Sequence, residues 1–409
     1  MRIVYCIPHL YNSGGMERVL TQKVNWLAAH TDYEITIVTT ELTPVGQFDV
    51  YFELDERVRV EALGIDFNAD YHKPLLSKYI GHARRMRVYK RALTEYIRSH
   101  AIDLCISLGG KEVAFISTLP CRTIVEFHFA KDHRQQLLDA NHTGWFWHLL
   151  GRIRTWQLVR DVRSADQIVV LTEKDRQDWQ QAGCANVKCI PNPCAIKYRV
   201  LSSEYRVVSS EYRVQSSEYR VVSSEYGVQS IKTLLGVGRL HEQKGFDMLL
   251  EAWNNVQRDN VQCTKDWTLR IVGEGEQRKK LEQQIKDLQL SNVVLAGRVE
   301  NMVEEYAASS LFVLSSRYEG LPLALIEAMW CGVPCVSFDC PHGPAELLGD
   351  DRGWLVPAMD VEKLTQQLIY AMTHMEEAME RAQRAQEYAY EKYSEASIMP
   401  QWVQLIENI

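Results

Sequence analysis

A chain of 409 residues is too long for one hydrophobic core and points to about two or three domains. Its 46% apolar and 24% charged residues are the composition of an ordinary globular protein, and a net charge of −7 gives no global attraction to nucleic acid. No apolar run reaches the roughly 18–20 residues that a membrane-spanning helix needs.

The opening "MRIVYCIPHLYNSGG" reads as a strand and a glycine turn, without the regions of a leader peptide. "GMERVLTQKVNWLAAH" follows as a helix with Val19, Val24, Leu27 and Ala28 on its apolar face. "EITIVTTE", "VRVEAL", "DLCISLG", "RTIVEFH", "DQIVVLT" and "VKCIPNP" are strand-like runs separated by polar or helical stretches. Such nearly continuous β-branched runs suit parallel strands covered on both faces. The pattern restarts at "KTLLGVGRL" and continues through "TLRIVGEG", "NVVLAGRV", "SLFVLSS" and "PCVSFD", each but the last followed by a helix. This grammar predicts two Rossmann-like α/β domains. They span residues 1–192 and 232–390, with a linker at 193–231 and a final helix at 391–409. Ten cysteines include no C-x-x-C pair, so they read as reduced thiols packed as small hydrophobes.

The linker contains four near-copies of a seven-residue unit, Ser202–Ser230. Tyr and Val/Gln recur at spacings of three and four, as in a coiled-coil seam, but Gln215 and Gln229 dilute it. The paired serines and the valines are poor helix formers, and an odd repeat flips its faces as a strand. An exposed insertion, a short helix or a hairpin all remain open.

Two pieces, "GVGRLH" and "GEGEQR", begin G-x-G but carry His241 and Arg278 at the sixth position, so neither completes a dinucleotide fingerprint. Arg239 lies just past a strand and Lys244 at the start of a helix. Two cations beside free helix amides suit a diphosphate, or are two solvated surface charges. In "SSRYEGLPLALIEAMWCGVP", Glu319 falls at a loop mouth, Gly320 permits a tight turn, and Glu327 lies inside an almost wholly apolar helix. A carboxylate there costs several kcal/mol unless it is bonded. It either forms a core salt bridge or accepts sugar and ribose hydroxyls. Glu-x7-Glu spans about 12 Å along a helix.

"GGMER", "VGRLHEQKG", "VGEGEQ", "YEGLPLALIEAMWCGVP" and "GPAELL" occur in the order found in family 4 retaining glycosyltransferases, which the chain resembles over most of its length. The resemblance implies the GT-B fold, two Rossmann-like domains with parallel sheets facing a central cleft. It implies that Glu327 holds the ribose of a nucleotide sugar and that Glu319, with Gly320 and Leu321, meets the transferred sugar. Arg239 and Lys244 would neutralise the diphosphate, with Gly273 in the neighbouring loop. Gly14 and Gly15 would form a loop near the phosphates and acceptor, and His128 would contact the donor sugar near the reacting carbon. Gly343 and Glu346, in "CPHGPAELL", would lie near the sugar and favour a UDP-hexose or UDP-N-acetylhexosamine.

The implied reaction is retaining transfer to a polysaccharide or lipid-linked glycan. The chain has no Asp-x-Asp pair, so no metal or other cofactor is expected, and fixed cations and helix amides would stabilise the leaving diphosphate. "HKPLLSKYIGHARRMRVYKR", with seven Lys or Arg and no acid, and the aromatic and basic "GWFWHLLGRIRTWQLVR" are either solvated faces and core aromatics or a surface for anionic lipid. A cytoplasmic protein is expected, and the second reading places it peripherally on the inner face of the cytoplasmic membrane. A nucleotide-sugar epimerase and a non-catalytic nucleotide-sugar-binding subunit are the alternatives.

Overall fold

The computed structural model describes residues 1–41, 50–67, 69–70, 72, 74–136, 144–196, 232–259 and 264–409. The heptad array lies outside these residues. Met1–Pro193 with Ile398–Ile409 forms one compact unit, and Cys194–Ser397 the other. Both are built on a parallel sheet with helices, as the alternation of apolar runs and amphipathic stretches requires.

The first unit holds seven strands: β1 (Arg2–Ile7), β2 (Glu34–Thr39), β3 (Arg59–Ala62), β4 (Leu104–Ser107), β5 (Arg122–Glu126), β6 (Gln167–Val170) and β7 (Val187–Cys189). Their order is β3-β2-β1-β4-β5-β6-β7, all parallel. The strands read as unbroken apolar runs because successive residues enter opposite cores. Ile3, Tyr5 and Ile7 join one core, and Val4 and Cys6 the other. The first core is closed by α1 (Gly15–His30) and by the C-terminal helix (Glu395–Glu407), which contributes Ile398, Met399, Trp402, Leu405 and Ile406. The other core is closed by α2 (Leu75–Ser99), a 3-10 segment (Lys111–Thr118), α3 (Trp145–Val162) and α4 (Glu173–Gln181).

The second unit orders its strands β10-β9-β8-β11-β12-β13. These are β8 (Thr233–Val237), β9 (Thr268–Val272), β10 (Val293–Gly297), β11 (Leu311–Leu314), β12 (Cys335–Asp339) and β13 (Trp354–Pro357). The edge strand β13 was not foreseen: it has four residues and ends in proline, which cannot donate to a ladder. The helices used below are α5 (Phe246–Arg258), α6 (Arg278–Asp287), α7 (Met302–Ala307) and α8 (Leu323–Trp330).

Candidate active site

Strand order reverses once in each sheet, between β1 and β4 and between β8 and β11. Loops at the carboxyl ends of the strands diverge there, and open α/β sheets take ligands in the crevice they leave. In the second unit the loops after β8, β9, β11 and β12 carry Arg239, Lys244, Gly273, Glu319, Gly320, Leu321 and Gly343, with Glu327 and Glu346 in the helices that follow.

The two G-x-G loops bind each other through backbone. Gly238 N–H donates to the Val272 carbonyl (3.0 Å), Leu240 N–H to that of Glu274 (2.9 Å), and Gln277 N–H to that of Leu240 (3.0 Å). A Cβ on Gly273, whose φ is +142°, would stand 1.9 Å from the Gly238 carbonyl oxygen; one on Gly275 would stand 2.4 Å from that of Leu240. Close backbone approach is the reason for these glycines. It fixes the turn that presents Arg239, which is exposed and makes no ion pair among the described residues.

The loops after β8 and β11 are joined more firmly. Arg317 N–H donates to the Gln243 carbonyl (2.8 Å), Gln243 Nε2 to that of Tyr318 (3.0 Å), and Ser315 Oγ to that of Lys244 (2.9 Å). The Arg317 guanidinium grips both oxygens of Asp247 at 2.9 and 2.7 Å. Burial raises the Asp247 pKa, but the bonds and charge of Arg317 outweigh it and hold that pKa below the usual range. Lys244 thus has a fixed position at the end of a 3-10 turn, Glu242–Lys244. Its Nζ lies 2.6 Å from Oε1 of Glu319, which also accepts from Ser316 Oγ at 2.6 Å. Lysine and acid, 75 residues apart in sequence, therefore meet at the reversal point. Ser316, the second support of Glu319, was not foreseen.

Glu327 is 4% exposed and accepts from the Tyr306 hydroxyl on α7 at 2.9 Å. The positive-φ turn at this loop mouth is not at Gly320. It belongs to His342 (φ 65°) and Gly343 (φ 89°), and a Cβ on Gly343 would lie 2.5 Å from Pro322 Cδ and 2.8 Å from the Gly320 carbonyl oxygen. Helix α8 begins at Leu323, so Pro322 precedes it rather than opening it. Glu346 is half-buried, and its carbonyl accepts from Arg352.

In the first unit, Gly14 caps α1 and Gly15 begins it. A Cβ on Gly14 would stand 2.2 Å from Oε2 of Glu17, so the missing side chain leaves room for that carboxylate to fold back. Glu17 is buried, and its Oε1 is 3.3 Å from Nδ1 of His9. His128 stands two residues beyond the end of β5, not in the strand. His128 Nε2 is 3.3 Å from Glu126 Oε1. Both oxygens of Glu126 are bonded by Lys23 Nζ, at 2.5 and 2.6 Å. Burial raises the Glu126 pKa, and the charge of Lys23, with the His128 ring beside it, overcomes this and brings it to about 2. The sequence reading missed Lys23 and Glu126. Their signal was a cation within the apolar stripe of α1 and an acid within an apolar strand.

Two Rossmann-like parallel-sheet units, one with Arg239, Lys244 and Glu319 in the loops at its reversal point, define the architecture. Residues 231–374, which contain every site residue of the second unit, match the family described as Glycosyl transferases group 1. The chain is 26% identical over 406 residues to an uncharacterized glycosyltransferase of Haemophilus influenzae, with 98% of each covered. It is 40% identical over 136 residues, 33% of this chain and 37% of the relative, to the amylovoran biosynthesis glycosyltransferase AmsD of Erwinia amylovora. In fold it resembles Alr3699/HepE of Anabaena, solved in complex with UDP, at a TM-score of 0.70 and 18% identity with all of both chains covered.

Proposed function

We propose that the protein is a retaining glycosyltransferase that moves a hexose or N-acetylhexosamine from a UDP-linked donor to a polysaccharide or lipid-linked glycan, without a metal ion. The observation that carries this reading is the Lys244–Glu319 pair beside exposed Arg239 at the reversal point of the second sheet. The amylovoran relative and the UDP-bound neighbour support the polysaccharide and the nucleotide.

In this mechanism Arg239 and Lys244 take up the charge that develops on the diphosphate as the bond from the sugar's anomeric carbon to the phosphate oxygen breaks. Lys244 is held by Glu319 before substrate arrives, so it needs little reorganisation during the reaction, and the joined loops set the backbone from which Arg239 reaches out. Glu319, held by Lys244 and Ser316, accepts from a hydroxyl of the transferred sugar, with Gly320, Leu321, Gly343 and Glu346 around it. Glu327 accepts from the ribose hydroxyls. The departing phosphate oxygen takes the acceptor's proton as the acceptor oxygen bonds the anomeric carbon on the same face. Gly14, Gly15 and His128 of the first unit are assigned to the transfer step by the family resemblance. UDP at about 100 times its dissociation constant should stabilise the protein by roughly 2.7 kcal/mol. The same rise in melting temperature is expected in EDTA. No shift with any uridine nucleotide would defeat the donor assignment.

The acceptor side rests on a surface of the first unit. Helices α2 and α3 both pack on the 3-10 segment. Their outer faces expose Tyr79, Ile80, Val88, Trp145, Phe146, Leu149, Ile153 and Trp156. Arg84, Arg87, Lys90, Arg152 and Arg154 are exposed among them, whereas Arg85 is tied to Asp70 at 2.7 Å. Among the described residues no helix is long and apolar enough to cross a membrane. An aromatic and cationic face of this kind suits the headgroup layer of an anionic membrane. Arg84→Glu with Arg87→Glu should weaken binding to phosphatidylglycerol vesicles by at least ~30-fold, at about 1 kcal/mol per cation. Unchanged binding would return these helices to an ordinary solvated face.

A further inference from the structure

We propose that Lys23, Glu126 and Trp402 form a buried positioning unit for His128, which fixes the ring proton on Nε2. The proposal rests on reading His128 as a residue of the transfer site, and it names the groups that set its state.

Lys23 and Glu126 have side chains only 1% exposed. An ion pair so deep gains little over an apolar pair of similar volume, so packing alone gives no reason for it. Its placement supplies one. Lys23 belongs to α1, the helix that starts at the Gly14–Gly15 turn, and Glu126 ends β5, two residues before His128. The pair therefore ties together the two parts of the first unit that carry site residues. From the opposite side, the C-terminal helix sets the Trp402 ring 3.7 Å from Lys23 Nζ, so the ammonium has a π face as well as two carboxylate oxygens.

That arrangement holds Glu126 ionised and immobile. One of its oxygens stands 3.3 Å from His128 Nε2, whose ring is not aligned for a hydrogen bond in this structure. A fixed carboxylate beside one ring nitrogen draws the proton to it and leaves the other nitrogen with its lone pair. Lys23, Glu126 and Trp402 act on His128 without needing to touch a substrate.

The test uses full-length protein with 15N-labelled histidine, the His128 signals being assigned by their loss in His128→Asn. In the wild type, the neutral ring should carry its proton on Nε2. In Lys23→Met/Glu126→Gln, a neutral pair of similar size, the ring should become a mixture of tautomers. Turnover at saturating substrates should then fall at least ~10-fold, with UDP affinity unchanged. Trp402→Phe, which keeps the packing with a weaker π face, should move both readouts less and in the same direction. A wild-type proton on Nδ1, or an unchanged ring signal in the folded double variant, overturns the proposal. A changed ring signal with unchanged turnover leaves the positioning unit standing and removes His128 from the transfer site.

Discussion

Glu126→Gln is expected to cost the folded protein roughly 3–5 kcal/mol, because it leaves the Lys23 ammonium buried without its counter-charge. Lys23→Met should do the same from the other side. The double substitution should recover most of the loss, since neither change then strands a charge. The pH dependence follows from the depressed pKa. Glu126 falls from an ordinary 4.5 to about 2 on folding, a difference of about 3 kcal/mol. A carboxylate depressed in the folded state stabilises fully above its unfolded pKa. That stability drains away as pH falls from near 4.5 toward 2. Urea unfolding from pH 7 down to pH 3 should show this loss in the wild type, and Glu126→Gln should lack that component. Equal stabilities of wild type and Glu126→Gln at pH 7 would mean that the pair does not form.

Arg239→Ala is expected to have the opposite profile. Arg239 is exposed and makes no ion pair among the described residues, so its loss should change stability by no more than about 0.5 kcal/mol. If it meets the leaving diphosphate, transfer should fall about 10²–10³-fold, the usual cost of removing one preorganised donor from a developing anion. Lys244→Ala should lose comparable activity and also some stability, because among the described residues Glu319 would keep only the Ser316 hydroxyl as a side-chain partner. Melting curves beside initial rates separate the two cases. An Arg239→Ala enzyme with full activity would show that this arginine is only a solvated surface cation.

The inner strands of the first sheet were legible as apolar runs, because a parallel strand buried on both faces keeps no polar alternation, whereas the edge strand β3 alternates, with Arg59 and Glu61 exposed. The edge strand Trp354–Pro357 was not legible, since it is short and ends in proline. Arg239, Lys244, Glu319 and Glu327 stood out because charged residues sat against strand ends or within an apolar helix. What the sequence could not convey was their pairing. Lys244 meets Glu319 only because β8 and β11 are neighbours at the point where strand order reverses, and nothing local encodes that adjacency. Lys23 and Glu126 were hidden for the same reason: each is a charge on a buried face of its element, and 103 residues separate them. The G-x-G loops gave a true signal with a different cause, since their glycines admit a neighbouring carbonyl.

In the proposed reaction a sugar leaves a uridine diphosphate donor with its anomeric configuration kept. Proton NMR of the product formed from an α-linked UDP-hexose or UDP-N-acetylhexosamine, in EDTA and with a glycan or polyprenyl-linked acceptor, tests it most directly. The expected result is an α-linked product with stoichiometric release of UDP. A β-linked product, or a nucleotide sugar that changes configuration with no acceptor present and releases no UDP, would contradict it.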